Sequence, residues 1–139
     1  MRKRHLTGLV LLLPLASCGF MDDSEDKLTS WTEGLKQAGD CMTVHAAAIG
    51  AGIAPTSVAK VTPDTAEMLQ GMRDSAEMLP LDDAGQPTLR DASLRIVEQL
   101  DKVKGQSPEA IKAMVESAPY QRDVSVLGDW YTAHCPTDK

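Results

Sequence analysis

Hydrophobic residues follow helical spacing along most of this chain. From residue 28 they alternate at intervals of three and four residues, which places them on one stripe of an α-helix. The stripe consists of Leu28, Trp31, Leu35, Ala38, Met42, His45 and Ile49. We predict a first helix that begins at Leu28 and holds Met42 at an inward position. Residues 50–62 contain two glycines and Pro55, and they leave two alternatives, a loop or a short additional element.

Local start and stop signals predict four more helices. The start signals are Thr62-Pro63 and Ser107-Pro108, and the stop signals are Pro80, Gly105 and Pro119. The predicted helices cover residues 63–79, 88–104, 108–118 and 122–134. Their inward positions are Thr65, Leu69, Met72, Ala76 and Leu79 in the second helix, Leu89, Ile96, Leu100 and Val103 in the third, Ile111, Met114 and Val115 in the fourth, and Val124, Val126, Leu127, Trp130 and Tyr131 in the fifth, which we expect to be largely buried.

The same pattern predicts the fold class. No stretch alternates apolar and polar residues over a strand's length, and hairpin pairs such as Asn-Gly do not occur. Short connections favour antiparallel neighbours, so we predict an all-α protein, a small four- or five-helix bundle. Two of the three cysteines, Cys41 and Cys135, lie near opposite ends of the bundle. We predict that they form one disulfide that joins the first helix to the C-terminus.

The first twenty residues have the composition of a secretion signal. Arg2, Lys3 and Arg4 precede a ten-residue apolar run, residues 6–15, which is too short to serve as a permanent membrane span. The run ends in Leu-Ala-Ser-Cys at residues 15–18, which resembles the lipobox of bacterial lipoproteins. A signal peptidase cut after Gly19, which would discard Cys18, is the alternative.

The lipobox resemblance implies that cleavage leaves Cys18 as a lipidated N-terminus. It divides the chain into a signal peptide (1–17), the lipidated cysteine with an acidic tether (18–27) and a helical domain (28–139). Three acyl chains, at about 0.8 kcal/mol per buried methylene, would hold the protein firmly on its membrane. Gly19 rather than Asp follows the cysteine, which implies the periplasmic face of the outer membrane; in a Gram-positive host the domain would lie on the exterior of the cell membrane.

Charge and motifs narrow the function classes. Removal of Arg2, Lys3 and Arg4 leaves 11 basic against 20 acidic residues, so the net charge changes from −6 to −9. We therefore expect no nucleic-acid partner, whereas a basic protein partner or simple solubility would suit this charge. The chain has no nucleophile elbow, zinc-protease motif, phosphate loop or haem-attachment motif, and we predict neither an enzyme nor a cofactor.

Two constellations offer metal ligands, although ordinary packing is the favoured interpretation of both. The predicted disulfide would draw His45 and His134 into one region, where reduced Cys41 and Cys135 could complete a zinc or copper site. Met68 and Met72 are spaced four residues apart and could present two thioethers to copper(I). Methionine more often fills irregular gaps in helical cores.

Two functions of different classes follow from these observations. The first is a lipid-anchored, non-catalytic interaction module for an envelope or secreted protein, similar in architecture to immunity proteins, inhibitors, or envelope assembly and secretion accessories. The alternative is a bundle that binds a metal or a small apolar ligand through His45, His134, Met68 and Met72.

Overall fold

The structure of this chain, a computed structural model, describes residues 22–136. The predicted signal peptide, the lipobox and Cys18 lie outside the described residues. The described residues divide into two units, 22–33 and 34–136. Five helices form the described part: α1 (Asp22–Val58), α2 (Pro63–Glu77), α3 (Thr88–Val103), α4 (Pro108–Val115) and α5 (Ala118–His134).

The all-α prediction and the disulfide are confirmed. Between residues 22 and 136 the chain contains helices, turns and bends but no strand. Cys41 in α1 is bonded to Cys135, the residue that follows α5, with their Cα atoms 5.7 Å apart. The bridge therefore closes most of the second unit into one covalent loop.

Helix α3 contacts three other helices of the second unit. Among α2 to α5, its larger contacts are with α2 and α5, and those with α4 are smaller. Burial of apolar side chains drives this packing, since each large aliphatic side chain removed from water contributes about 1.5–3 kcal/mol. The fully buried core residues include Val44, Val58, Leu69, Leu79, Leu89, Ile96, Val97, Leu100, Tyr120 and Leu127.

Most predicted bounds of α2 to α5 hold within two residues, and the exceptions involve proline. Pro119 was expected to close the fourth helix, but it lies in the first turn of α5, where a missing N–H costs little. Helix α4 ends earlier, at Val115. Gly105 follows α3 with φ of +70°, a conformation that suits glycine, and its N–H donates to the carbonyl of Val58 at 2.8 Å. The fifth helix is only partly buried, through Tyr120, Asp123 and Leu127.

The first helix is longer than its sequence pattern predicts. It begins at Asp22, inside the predicted tether, and it continues through Gly50 and Pro55 to Val58. Residues 50–58 are thus neither a loop nor a separate element. Ala51, Ala54 and Val58 carry a buried face through this stretch at helical spacing, and this burial supports the helix beyond the glycines.

From Leu35 onward, the predicted stripe lies on the outer face of α1. Met42, predicted to point inward, is 75% exposed, and Leu35 and Ile49 are also exposed. A second series with the same three-four spacing forms the inner face instead. It consists of Cys41, Val44, Ala48, Ala51, Pro55 and Val58, all buried or half-buried. The helix therefore presents its larger apolar side chains to the outside.

Pro55 fits inside α1 because a tertiary hydrogen bond replaces the one that it removes. Proline has no N–H, so the Ala51 carbonyl lacks its partner four residues along the helix. The hydroxyl of Tyr120 donates to that carbonyl at 2.6 Å from a fully buried position. Burial raises the pKa of Tyr120 to about 12, so the hydroxyl keeps its proton. This contact joins α5 to the C-terminal part of α1.

We expect Tyr120→Phe to lower the free energy of unfolding by about 1–2 kcal/mol, because it leaves the buried Ala51 carbonyl without a donor. The effect should depend on Pro55. In the Pro55→Ala background the backbone N–H of residue 55 can satisfy Ala51, so Tyr120→Phe should cost about 0.5 kcal/mol or less there. Urea unfolding of the four proteins in this cycle measures both values, and equal costs in the two backgrounds would contradict the account.

One stretch of α1, Thr32–Val58, is long and apolar enough to cross a membrane by length and composition, with a mean hydropathy of 1.3. The same stretch carries the bridged Cys41 and the buried Val44 and Val58. It therefore contributes side chains to the helical core, and helices of a protein core can meet the same criteria of length and composition.

A buried ion pair joins α3 to α5. The Asp123 side chain is only 1% exposed, and the guanidinium of Arg95 donates to both of its carboxylate oxygens at 2.9–3.2 Å. Gln99 donates to the same carboxylate at 3.5 Å. The hydrogen bond to Asp123 raises the pKa of Arg95. Sequence periodicity gave no sign of this contact.

Candidate functional site

A groove rich in methionine runs between α1 and α2 within the second unit. Its volume is about 490 Å³, and Ser93 of α3 contributes to its wall. Four methionine side chains are among the described residues that line it: Met42 from α1, Met68 and Met72 from α2, and Met78 just after α2. The groove therefore brings the two methionines predicted as candidate ligands together with two others.

Small residues create the space in this groove. Ala46, Ala47 and Gly50 on α1 face Gly71 and Ser75 on α2. A Cβ atom at Gly50 would lie 3.9 Å from the methyl carbon of Met72, so this methionine occupies the room that glycine leaves. No atom lies within 4 Å of a Cβ placed on Gly71, so the groove is open above that position.

The groove continues into an exposed apolar surface. Met42 and Met78 are 75% and 66% exposed, and the outer face of α1 extends the surface through Ile49 and Ile53. Exposed apolar side chains that cluster in this way mark sites of interaction with proteins or ligands. Methionine suits such a surface because its flexible, polarisable side chain adapts to different partners.

Acidic residues flank the groove along α2. Asp64, Glu67 and Asp74 are all exposed, and none is in an ion pair among the described side chains. The one basic residue of α2, Arg73, is 3.5 Å from the carboxylate of Asp101 on α3. The charge beside the groove is therefore negative and comes from α2.

The two histidines proposed as metal ligands occupy separate environments near the disulfide. His45 makes an edge contact with the ring of Tyr131, at 4.9 Å between ring centroids. His134 stacks on Trp130 and has both ring nitrogens within 2.9 Å of acceptors, the Trp130 carbonyl and the Asp83 carboxylate. Among the described residues, no group of three or more His, Cys, Asp or Glu is placed to hold a metal ion.

The His134–Asp83 pair predicts a dependence of stability on pH. The hydrogen bond to the Trp130 carbonyl, followed by that to Asp83, raises the pKa of His134 above its usual 6.5. A group whose pKa rises on folding stabilises the fold fully below its unfolded pKa and loses this effect as the pH rises through the folded pKa. We therefore expect Asp83→Asn to lower the melting temperature most below pH 6.5, and progressively less above it. A difference that is constant with pH would contradict this assignment.

Comparison of the chain with protein-family models, with curated proteins and with solved structures finds no match. The groove, the disulfide and the sequence of the N-terminus are therefore the features that bear on its function.

Spacing within α2 was enough to place Met68 and Met72 on one face, since residues four apart are neighbours on a helix. Sequence reasoning missed the contribution of Met42, because it comes from the outer face of another helix. It also missed the groove itself, although the clustering of Gly50, Gly71 and alanines at helix-facing positions is a signal for open space between two helices.

Proposed function

We propose that this protein is a lipid-anchored, non-catalytic interaction module that binds an envelope or secreted protein through the methionine groove. Its role would be that of an immunity- or inhibitor-like protein, or of an accessory in envelope assembly or secretion. The observation that carries the proposal is the exposure of Met42 and Met78 in an open groove next to exposed carboxylates on α2. Such a surface offers apolar contact area and charge to a partner.

The disulfide supports the compartment that this proposal requires. Bridges such as Cys41–Cys135 form and persist in oxidising compartments, and the lipobox-like residues 15–18 would carry the chain to one. Lipid on Cys18 would hold the domain at a membrane. The proposed location is the periplasmic face of the outer membrane. The mass of the mature protein from cells tests this part. We expect an N-terminal Cys18 with three acyl chains, and an unmodified thiol would contradict it.

Site-specific photocrosslinking in intact cells tests the groove. A benzophenone amino acid placed at Ala46, which lines the groove and is exposed, should give one adduct of defined mass with a partner protein. The matched control is the same group at Ser125, which is exposed on α5 and is not part of the groove. Adducts of equal yield at both positions, or none at position 46, would contradict the proposal.

A soft metal ion is the second candidate ligand, because Met42, Met68, Met72 and Met78 bring four thioethers to one groove. Thioethers favour copper(I), for which silver(I) is a redox-stable probe. Native mass spectrometry of the purified protein with silver(I) tests this alternative. A metal site predicts one bound ion that is lost in Met68→Leu/Met72→Leu, a change that nearly conserves side-chain volume. A docking groove predicts no stoichiometric silver binding.

A further inference from the structure

We infer that the partner segment seated in the methionine groove is a basic amphipathic helix. This inference rests on the proposed function and adds the chemistry of the partner. Three features support it: the length of the groove, the small residues that line it, and the placement of acidic residues along α2.

The groove has the dimensions of a helix-docking site. Met68 and Met78 lie ten positions apart on α2 and its cap, which corresponds to about 15 Å at 1.5 Å per residue. Apolar anchors at positions i, i+4 and i+7 of a partner helix span about 10 Å, so the groove accommodates three of them. Gly71, Ala46 and Ala47 allow a helix backbone to approach closely, and the methionines can adjust to the anchors.

The charge beside the groove selects a basic partner. Glu67, Gly71, Asp74 and Met78 follow one another at intervals of four, three and four residues, so they form one row on α2. Two members of this row, Gly71 and Met78, line the groove, and the carboxylates therefore lie directly beside it. Lysines or arginines that flank the apolar anchors of a docked helix would meet these carboxylates at its edge.

The same charges disfavour a second copy of this chain as the occupant. The mature chain carries a net charge of −9, and another copy would bring further carboxylates to a groove that is already negative. Opposing like charges at an interface reduce affinity and slow association. An acidic or neutral helix would gain the apolar contacts but not the electrostatic attraction.

Two synthetic helical peptides test this inference. Both have leucine at the i, i+4 and i+7 positions, and they differ only in their flanking residues, lysine in one and glutamate in the other. Binding is measured by fluorescence anisotropy with the full mature protein in lipid nanodiscs. We expect the lysine peptide to bind roughly tenfold more tightly at low salt, and the difference to shrink near 1 M salt, where the Debye length is about 3 Å.

Two pairs of variants test whether the lysine peptide binds in the methionine groove. Glu67→Gln/Asp74→Asn should weaken binding of the lysine peptide several-fold, whereas Glu109→Gln/Asp129→Asn, with the same change in net charge on α4 and α5, should have little effect. Gly71→Leu should block the groove and abolish binding while it preserves the fold, since leucine favours helix over glycine. Gly128→Leu, at another helical glycine with open space around its Cβ, is the matched control.

The outcomes separate this inference from the proposed function. Equal binding of both peptides, binding of the glutamate peptide alone, no binding of either, or equal effects of the two charge-variant pairs would overturn the basic-helix inference. A position-46 adduct in cells would still support an interaction module of different partner chemistry. The absence of an adduct from position 46 in the protein with Gly71 would overturn the proposed function itself, whatever the peptides do.

Discussion

Removal of the Cys41–Cys135 disulfide is expected to lower the free energy of unfolding by about 4–5 kcal/mol. The bridge spans 94 positions of the sequence, and the entropy of the unfolded chain rises accordingly when a loop of this length is opened. Folded domains are stable by only about 5–15 kcal/mol, so this is a large share of the total. Closure also fixes the end of α5, where the Gln37 side chain donates to the His134 carbonyl at 2.9 Å.

Thermal unfolding followed by circular dichroism measures this effect. We expect Cys41→Ala/Cys135→Ala to melt about 15–20 °C below the oxidised protein, given the usual entropy of unfolding for a domain of this size. A reductant should lower the melting temperature of the wild type by a similar amount and leave the double variant unchanged. A shift of less than about 5 °C would contradict the stabilising role of the bridge.

Truncation of Arg95 is the second large effect. Arg95→Ala leaves the Asp123 carboxylate buried without its principal partner, which usually costs about 3–5 kcal/mol. The side chain of Arg95 is 46% exposed, so solvent can partly replace it, and we expect a loss of about 2–3 kcal/mol. Arg73→Ala removes the exposed pair with Asp101 and serves as the control, with an expected loss of about 1 kcal/mol or less.

A compensating variant distinguishes an unpaired charge from a simple loss of packing. Arg95→Met/Asp123→Leu replaces both members of the pair with apolar side chains, which is often neutral or stabilising. We expect its free energy of unfolding to return to within about 1 kcal/mol of the wild type, as measured by urea unfolding. A double variant less stable than Arg95→Ala would show that the pair contributes something other than charge compensation.

Capping residues, prolines and glycines in the sequence correctly predict the helix ends that depend on neighbouring residues of the chain. The start of α2 at Pro63 after Thr62 and the start of α4 at Pro108 after Ser107 match their predicted positions. In α4 the Ser107 hydroxyl accepts a hydrogen bond from the Ala110 N–H, as its capping role requires. The end of α3 before Gly105 is also as predicted, because few residues other than glycine adopt a positive φ there.

Periodicity could not decide which face of α1 packs inward. The helix carries two stripes with the same three-four spacing, and the prediction that the one with larger side chains is buried is wrong. The predicted disulfide of Cys41 indicates the inner face correctly, because a residue bridged to the end of α5 must lie on the side of α1 that faces α5. That inner side carries alanine and valine side chains such as Ala51 and Val44, whereas the longer Met42 and Ile49 lie outside.

Contacts between distant residues account for the other differences. Pro55 is a helix breaker by local rules, and the hydroxyl of Tyr120, 69 positions away, offsets its cost. The Arg95–Asp123 pair and the convergence of Met42 with the α2 methionines likewise depend on how helices pack. A single sequence gives the composition of each helix face but not which faces meet.

The most direct test of the account is photocrosslinking from position 46 in two otherwise identical proteins, one with Gly71 and one with Gly71→Leu. The account predicts a partner adduct that forms in the first protein and is lost in the second, while both melt at similar temperatures. An adduct of undiminished yield in the Gly71→Leu protein would show that the methionine groove is not the docking surface.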